Sequence, residues 1–217
     1  PVLLLAGAGG EGLSKRLGSL SIGALRQDGI EPVAIASLLA RIGTADPVVP
    51  QRQLAAVIDS FDLGKFGRAT AKFDPSELTK LNSQIVQEFD FADVETRLAN
   101  SGVTGDAQFW LAVRGNLATV DEARVWWDIC TQPLTPVITA PTVTNAAAAL
   151  LPAGDLNSAV WSSWTKSIAA ETGVRGKGLF MPLRLALTGR DAGPEIAPLL
   201  AIMGRERVIR RLQGDTA

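Results

Sequence analysis

Lys15 and Arg16 stand side by side in the stretch GEGLSKRLG, residues 10–18, with Ser14 before them and Gly10, Gly12 and Gly18 around them. An ammonium is a compact, mobile charge that can follow a phosphate as its geometry changes, and a neighbouring guanidinium adds forked donors. Glycine-rich backbone exposes N–H groups towards the same anion. A loop built this way can neutralise charge that develops on a triphosphate during nucleotidyl transfer. Taken alone, a four-residue match such as LSKR recurs too often by chance to separate that chemistry from a solvated turn.

The remaining reactive side chains narrow the choice. The chain has no histidine and one cysteine, Cys130. Serine–histidine–aspartate, cysteine–histidine and histidine-ligated metal chemistry are therefore excluded. So are an internal disulfide and a multi-cysteine zinc site, and no zinc is expected. Cys130 lies in VWWDIC, an apolar helical context that reads as a buried structural thiol. A reduced, cytoplasmic compartment is the expectation. No GxxxxGK[ST] is present, so a phosphate-loop NTPase is excluded.

With 217 residues, 47% of them hydrophobic, the chain can bury the core of one large domain or of two to three small ones. Its longest uninterrupted apolar run, AAAALL at 146–151, is far too short to span a bilayer, and no membrane partner is expected. The chain opens at Pro1 with an apolar stretch, without a charged n-region or cleavage site, and reads as a piece of a longer chain without a signal peptide. The net charge of −1 argues against a surface that is basic throughout. The charge is unevenly spread, however. Residues 59–97 hold five basic against eight acidic residues, and residues 151–217 hold nine basic against six acidic. The C-terminal third is the expected anion-facing part.

Nearly every element that must position these groups reads as helix. PVLLLAG suits a short strand or strand remnant leading into the glycine-rich loop. SIGALRQDG is a short helix stopped at Gly29, and EPVAIASLLARIG is a helix with Pro32 in its first turn and Gly43 at its end. QRQLAAVIDSF follows as helix. DPSELTKLNSQIVQEF has Asp74 as N-cap, Pro75 at N1 and Glu77 at N3. FADVETRLANSG and DAQFWLAVRGN are further helices, and TVDEARVWWDIC repeats the capping pattern with Thr119 and Glu122. TQPLTPVITAPTVTN reads as a link and marks the best candidate for a domain boundary. Beyond it, DLNSAVWSSWTKSIAAETG is a helix with Asp155 as cap, Gly173 as stop, and Trp161, Trp164, Ile168 and Val160 as a packing stripe. KGLFMPLRLALTG, GPEIAPLLAIMG and RERVIRRLQG complete the set, with Pro194 expected at N1 of its helix. The fold class expected is mainly all-α.

Three segments, in order, resemble glutamyl-tRNA synthetases. GEGLSKRLGSLSIGALRQDGIEPVAIASLLARIG resembles the part that carries this family's version of the class I synthetase KMSKS signature. FDPSELTKLNSQI resembles a family helix built around an LN pair, and KGLFMPLRLALTGRDAGPEIAPLLAIMGRERVIRRL resembles the C-terminal helical domain. The resemblance covers nearly the full chain and implies the C-terminal half of such an enzyme, without the Rossmann catalytic domain.

That resemblance implies a division into residues 1–62, the KMSKS loop and a stem-contact helical region, residues 63–140, a first helical anticodon-binding domain, and residues 141–217, a second. It implies a glutamate–tRNA ligase that uses ATP with Mg, bound mainly by the absent catalytic domain, and glutamate and tRNA(Glu) as its other partners. Gly12, Leu13, Ser14, Lys15 and Arg16 would be the KMSKS-like ATP loop, with Lys15 the catalytic lysine at the ATP phosphates. Gly12 stands where the motif often has a first lysine, and Leu17 where histidine is common. Arg184 would contact anticodon nucleotides, with Gly193, Pro194 and Ile196 on a turn that shapes the pocket for a splayed base. In the turn RGNLATVDE, Asn116 falls where some members carry an arginine that favours glutamate tRNA, and Arg114 lies two residues earlier. The expectation is a non-discriminating enzyme that also accepts tRNA(Gln). The alternative is a non-catalytic helical adaptor, in which LSKR is a basic turn and the C-terminal face docks a protein.

Overall fold

Side-chain caps start four of the helices here, at Ser21, Asp74, Asp106 and Asn157, and a proline in the first turn marks the start of three. In the computed structural model, which describes residues 5–7 and 21–217, twelve α-helices and one two-stranded sheet make up the regular structure, so the architecture is mainly all-α as expected. The chain divides into two compact units: residues 1–97 with 117–122, and residues 98–116 with 123–217.

In the first unit, β1 (Leu5–Gly7) pairs in parallel with β2 (Ala71–Phe73), Leu5 opposite Ala71. β2 was not anticipated from the sequence. It is three residues long, too short for an alternating pattern to declare it, and its partner lies far away in the chain. The helices are α1 (Ile22–Gln27), α2 (Pro32–Leu39), α3 (Leu54–Asp59), α4 (Pro75–Glu88) and the first part of α5 (Phe91–Asn100). The Ser21 hydroxyl caps α1 by accepting from Ala24 N, and Asp74 caps α4 by accepting from Ser76 N at 2.8 Å. α2 ends four residues before Gly43, the intervening residues forming turns.

The core of this unit is α2 packed on α3 and α4. At its centre Asn82, fully buried on α4, accepts from Glu31 N at 2.7 Å and donates to Ala118 O at 2.7 Å and Gly29 O at 3.4 Å. One side chain thus ties the start of α2, the turn before it and the 118 segment, leaving its own amide satisfied. Asn82 belongs to the LN pair singled out above. Glu122 accepts from Ala118 N at 2.7 Å, so the expected reciprocal cap closes one residue before Thr119, with a 3₁₀ turn over Val120–Glu122.

The second unit holds α6 (Ala107–Val113), α7 (Ala123–Thr131), α8 (Pro141–Ala149), α9 (Ser158–Thr172), α10 (Lys177–Thr188), α11 (Ile196–Met203) and α12 (Arg205–Gln213). α8 corrects the reading of residues 131–145 as a link. Pro141 at N1 starts the helix where a missing N–H costs nothing. Its small side chains let neighbours approach, and α9, α10 and α12 all pack on it. Trp164, fully buried, donates its indole N–H to Ala147 O at 3.0 Å. The extended stretch before α8 is also held: Leu134 N donates to Ala217 O and Val137 N to Leu185 O. Residues 131–145 therefore lie inside the second unit, and the division between units falls within α5.

Two further starts differ from expectation. Asn157, not Asp155, caps α9, its side chain accepting from Val160 N at 3.0 Å. Gly173 ends that helix in the left-handed region as expected, at φ 69°. Pro194 is not at N1 of α11. It precedes the cap residue Glu195, and Ile196 opens the helix. Of the expected stripe on α9, Trp164 and Ile168 are fully buried, while Trp161 is half-buried and stacks edge-on against Trp164 with ring centres 5.6 Å apart.

Candidate functional site

Gly12, Leu13, Ser14, Lys15 and Arg16 lie outside the described residues. The other residues singled out, Arg114, Asn116, Arg184, Gly193, Pro194 and Ile196, all lie in the second unit.

Arg184 sits in the body of α10, half-buried. Its Nη2 donates to Pro194 O at 2.8 Å, clamping the turn that leads into α11. Burial pushes its guanidinium below the usual arginine range, and Nη1 is buried without a hydrogen-bond partner. Gly193 in the same turn has φ +136°, and a Cβ there would lie 2.1 Å from Trp126 Cη2. Only glycine allows the turn to close on the indole edge at this position. The Arg190 guanidinium stands 5.8 Å from the centre of the Trp126 ring. The structure therefore gathers Arg184, Arg190, Trp126 and the 193–194 turn. Trp126 and Arg190 were not singled out beforehand, and the signal for both was tertiary. Pro194 and Ile196 are buried, so they shape this turn from beneath.

Arg114 and Asn116 occupy a 3₁₀ turn, Arg114–Asn116, that continues α6. Arg114 is half-buried and Asn116 exposed. α6 packs on α7 and α11, the helices that flank the Trp126 and Gly193 contact.

The basic residues of 151–217 divide: Arg211 is buried, Arg184, Arg205 and Arg207 are half-buried, and the other five are exposed. Arg211 donates from Nη1 to Ile129 O (2.8 Å) and Leu187 O (2.7 Å), from Nη2 to Gln132 O (2.9 Å), and from Nε to Ala217 O (2.8 Å). Burial pushes its guanidinium down to about 10. Arg207 donates to Cys130 O, Thr131 O and Met203 O at 2.9–3.0 Å. Arg205 donates to Pro152 O and to Gly154 O. The last carbonyls of a helix carry partial negative charge, and guanidinium groups at the end of α7 satisfy them without a carboxylate. The clue in the sequence was the spacing: Arg207 and Arg211 repeat at i, i+4 beside Val208 and Leu212, flanking the apolar stripe of RERVIRRLQG.

Cys130 is a free, buried thiol whose burial pushes it up to about 12, which makes it unreactive. No helix among the described residues is long and apolar enough to cross a membrane.

A family model described as an anticodon binding domain matches residues 134–214, within the second unit. Along 99% of its length the chain is 48% identical to glutamate–tRNA ligase 2 of Methylorubrum populi, and 47% identical to both glutamate–tRNA ligase 1 of Maricaulis maris and the glutamate–tRNA ligase of Azospirillum brasilense. It spans about half the length of these curated relatives, 48% in each case. The fold is shared with a crystal structure of glutamate–tRNA synthetase from Elizabethkingia anophelis, with a TM-score of 0.75 and 21% identity over 97% of this chain and 49% of that one. The chain belongs to the glutamyl-tRNA synthetase family, to whose C-terminal part it corresponds.

Proposed function

We propose that this chain is the tRNA-gripping part of a glutamate–tRNA ligase, a cytoplasmic enzyme that joins glutamate to tRNA in an ATP-dependent reaction. The observation that carries the reading is similarity along 99% of this chain, at 47–48% identity, to about half the length of proteins named as such ligases. The anticodon-binding match over the unit that holds Arg184 supports it. Since the relatives bear that name, the adaptor reading is not favoured.

In this reading residues 1–62 form the ATP loop and stem-contact region, and residues 63–140 and 141–217 two anticodon-binding parts. Ser14, Lys15 and Arg16 offer a hydroxyl, an ammonium and a guanidinium, a donor set suited to a triphosphate, while ATP and Mg are held mainly by chain beyond this one. Arg184 meets an unpaired anticodon base. Its guanidinium is half-buried and fixed on Pro194 O at 2.8 Å, which orients it beside the turn. Gly193, Pro194 and Ile196 hold the turn against which that base rests. Asn116, in place of an arginine, relaxes discrimination at the third anticodon position, with Arg114 beside it, so tRNA(Gln) is charged as well.

Gel-shift titration of the chain with tRNA(Glu), an anticodon-substituted transcript and the Arg184→Gln variant tests this. The expected result is binding of the native transcript and at least roughly tenfold weaker binding in both altered pairs, the scale of about 1.4 kcal/mol. Equal binding of all three would overturn the anticodon assignment. For the full-length enzyme, a charging rate on tRNA(Gln) more than about a thousandfold below that on tRNA(Glu), roughly 4 kcal/mol, would count against relaxed discrimination.

A further inference from the structure

The nine basic side chains of residues 151–217 have unequal fates. Arg184, Arg205, Arg207, Arg210 and Arg211 each donate to a backbone carbonyl, and Arg190 lies over Trp126. Lys166, Arg175 and Lys177 are exposed, and among the described residues they have no hydrogen bond or ion pair. These three are not scattered. Lys166 and Arg175 line one groove of about 420 Å³ between the second half of α9 and the start of α10, and Lys177 follows its Gly176 wall. The remaining lining is Thr165, Ala169, Ala170, Leu179 and Phe180, with no carboxylate. Glu171, the acidic residue nearest in sequence, does not line the groove.

Phe180 is 44% exposed, while its ring leans on Trp161 with centres 6.3 Å apart. A single exposed aromatic needs no explanation, nor does a single lysine. Their convergence in a groove free of carboxylates gives it the complementarity of a polyanion that also carries flat rings. Phe180 and Arg184 are also four residues apart on α10, so they share a face about 6 Å apart along the axis. Phe180 of the groove and Arg184 therefore lie along one face of α10.

We propose that the α9–α10 groove is a second RNA-contact surface, in which Lys166, Arg175 and Lys177 hold a phosphodiester run and Phe180 stacks an unpaired base next to the nucleotide at Arg184. The assignment rests on the reading that RNA is the ligand of this unit. Cations then track the backbone and the aromatic ring accepts any base, as in single-strand recognition generally.

Salt-dependent tRNA binding by the whole chain tests it. Each single-strand phosphate contact contributes about 0.7 to the slope of log affinity against log salt, so removing three lowers the slope by about 2. The K166Q/R175Q/K177Q variant should therefore lose roughly sixteenfold less affinity than the native chain between 50 and 200 mM salt. F180S should weaken binding at least roughly fivefold with the slope unchanged. The charge-keeping K166R/R175K/K177R variant should restore the slope, which a mere loss of folding would not allow. If the triple glutamine variant keeps the native slope while Arg184→Gln weakens binding, the groove assignment falls and the anticodon reading stands. If the native chain binds no tRNA, both fall. If polyglutamate binds as tightly as tRNA, and F180S leaves tRNA affinity unchanged, the groove is a general polyanion surface and the assignment is wrong.

Discussion

At the scale of single residues, the second unit depends on side chains whose surroundings leave no alternative. Gly193 combines a backbone conformation that L-residues rarely adopt with contact against Trp126. Gly193→Ala is expected to lower stability by about 2–4 kcal/mol, from backbone strain and the displaced indole together, read as a fall in the urea midpoint. A change below about 0.5 kcal/mol would mean that the turn shifts freely. Cys130 makes stability depend on alkaline pH. In the unfolded chain its thiol ionises near 9.0, whereas in the folded unit burial holds the proton up to about 12. The folded state thus binds more protons between those values. The contribution is fully present below pH 9 and is lost as pH rises towards 12. Between pH 8 and pH 10 the native chain should lose on the order of 1 kcal/mol more than Cys130→Ala, measured by urea unfolding at each pH.

At the scale of elements, a hydrogen bond within one turn fixes where α1, α4, α6 and α9 begin. α9 offers a direct contrast, because two candidate caps lie two residues apart. Asn157 accepts from Val160 N, and Asp155 caps nothing. Asn157→Ala should cost about 1 kcal/mol, while Asp155→Ala should change the unfolding free energy by less than about 0.5 kcal/mol. The reverse order would restore the cap at Asp155. α8 shows the other side of element formation. Its sequence of proline, threonine and alanine resembles a linker, but its narrow faces let three helices close on it and bury the carbonyl that receives the Trp164 indole. The helix is there because its surroundings need a thin partner, and propensity alone would leave so short a helix marginal.

At the scale of the molecule, the two units differ in how they are held. The first has a three-residue strand pair and several exposed apolar side chains, among them Leu54, Ile58, Phe61 and Leu63. The second buries Trp110, Trp164 and Phe109, and its Arg211 joins carbonyls from α7 and α10. All five tryptophans fall in the second unit, so indole fluorescence reports on that unit alone, while far-ultraviolet circular dichroism reports on both. We expect the dichroism to begin its loss at lower urea than the fluorescence. Coincident transitions would show that the units unfold as one.

Local chemistry was legible in the residues themselves. Asp74 followed by Pro75, Pro32 at a helix start and Gly173 at a helix end act within one turn, so neighbours in the chain suffice to predict them. The absence of histidine likewise settled which catalytic chemistries are impossible. The fate of the cations was not legible in this way. Arg184 and Arg211 look alike beside Arg175 in the sequence, yet Arg211 finds its acceptor on Ile129, 82 residues away, while Arg175 finds none among the described residues. The partner of β1, the helix at Pro141 and the meeting of Gly193 with Trp126 were decided the same way. A long cationic side chain has no intrinsic preference between water and a carbonyl. Only packing brings the carbonyls within reach, and so only the tertiary structure chooses which charges remain for a ligand.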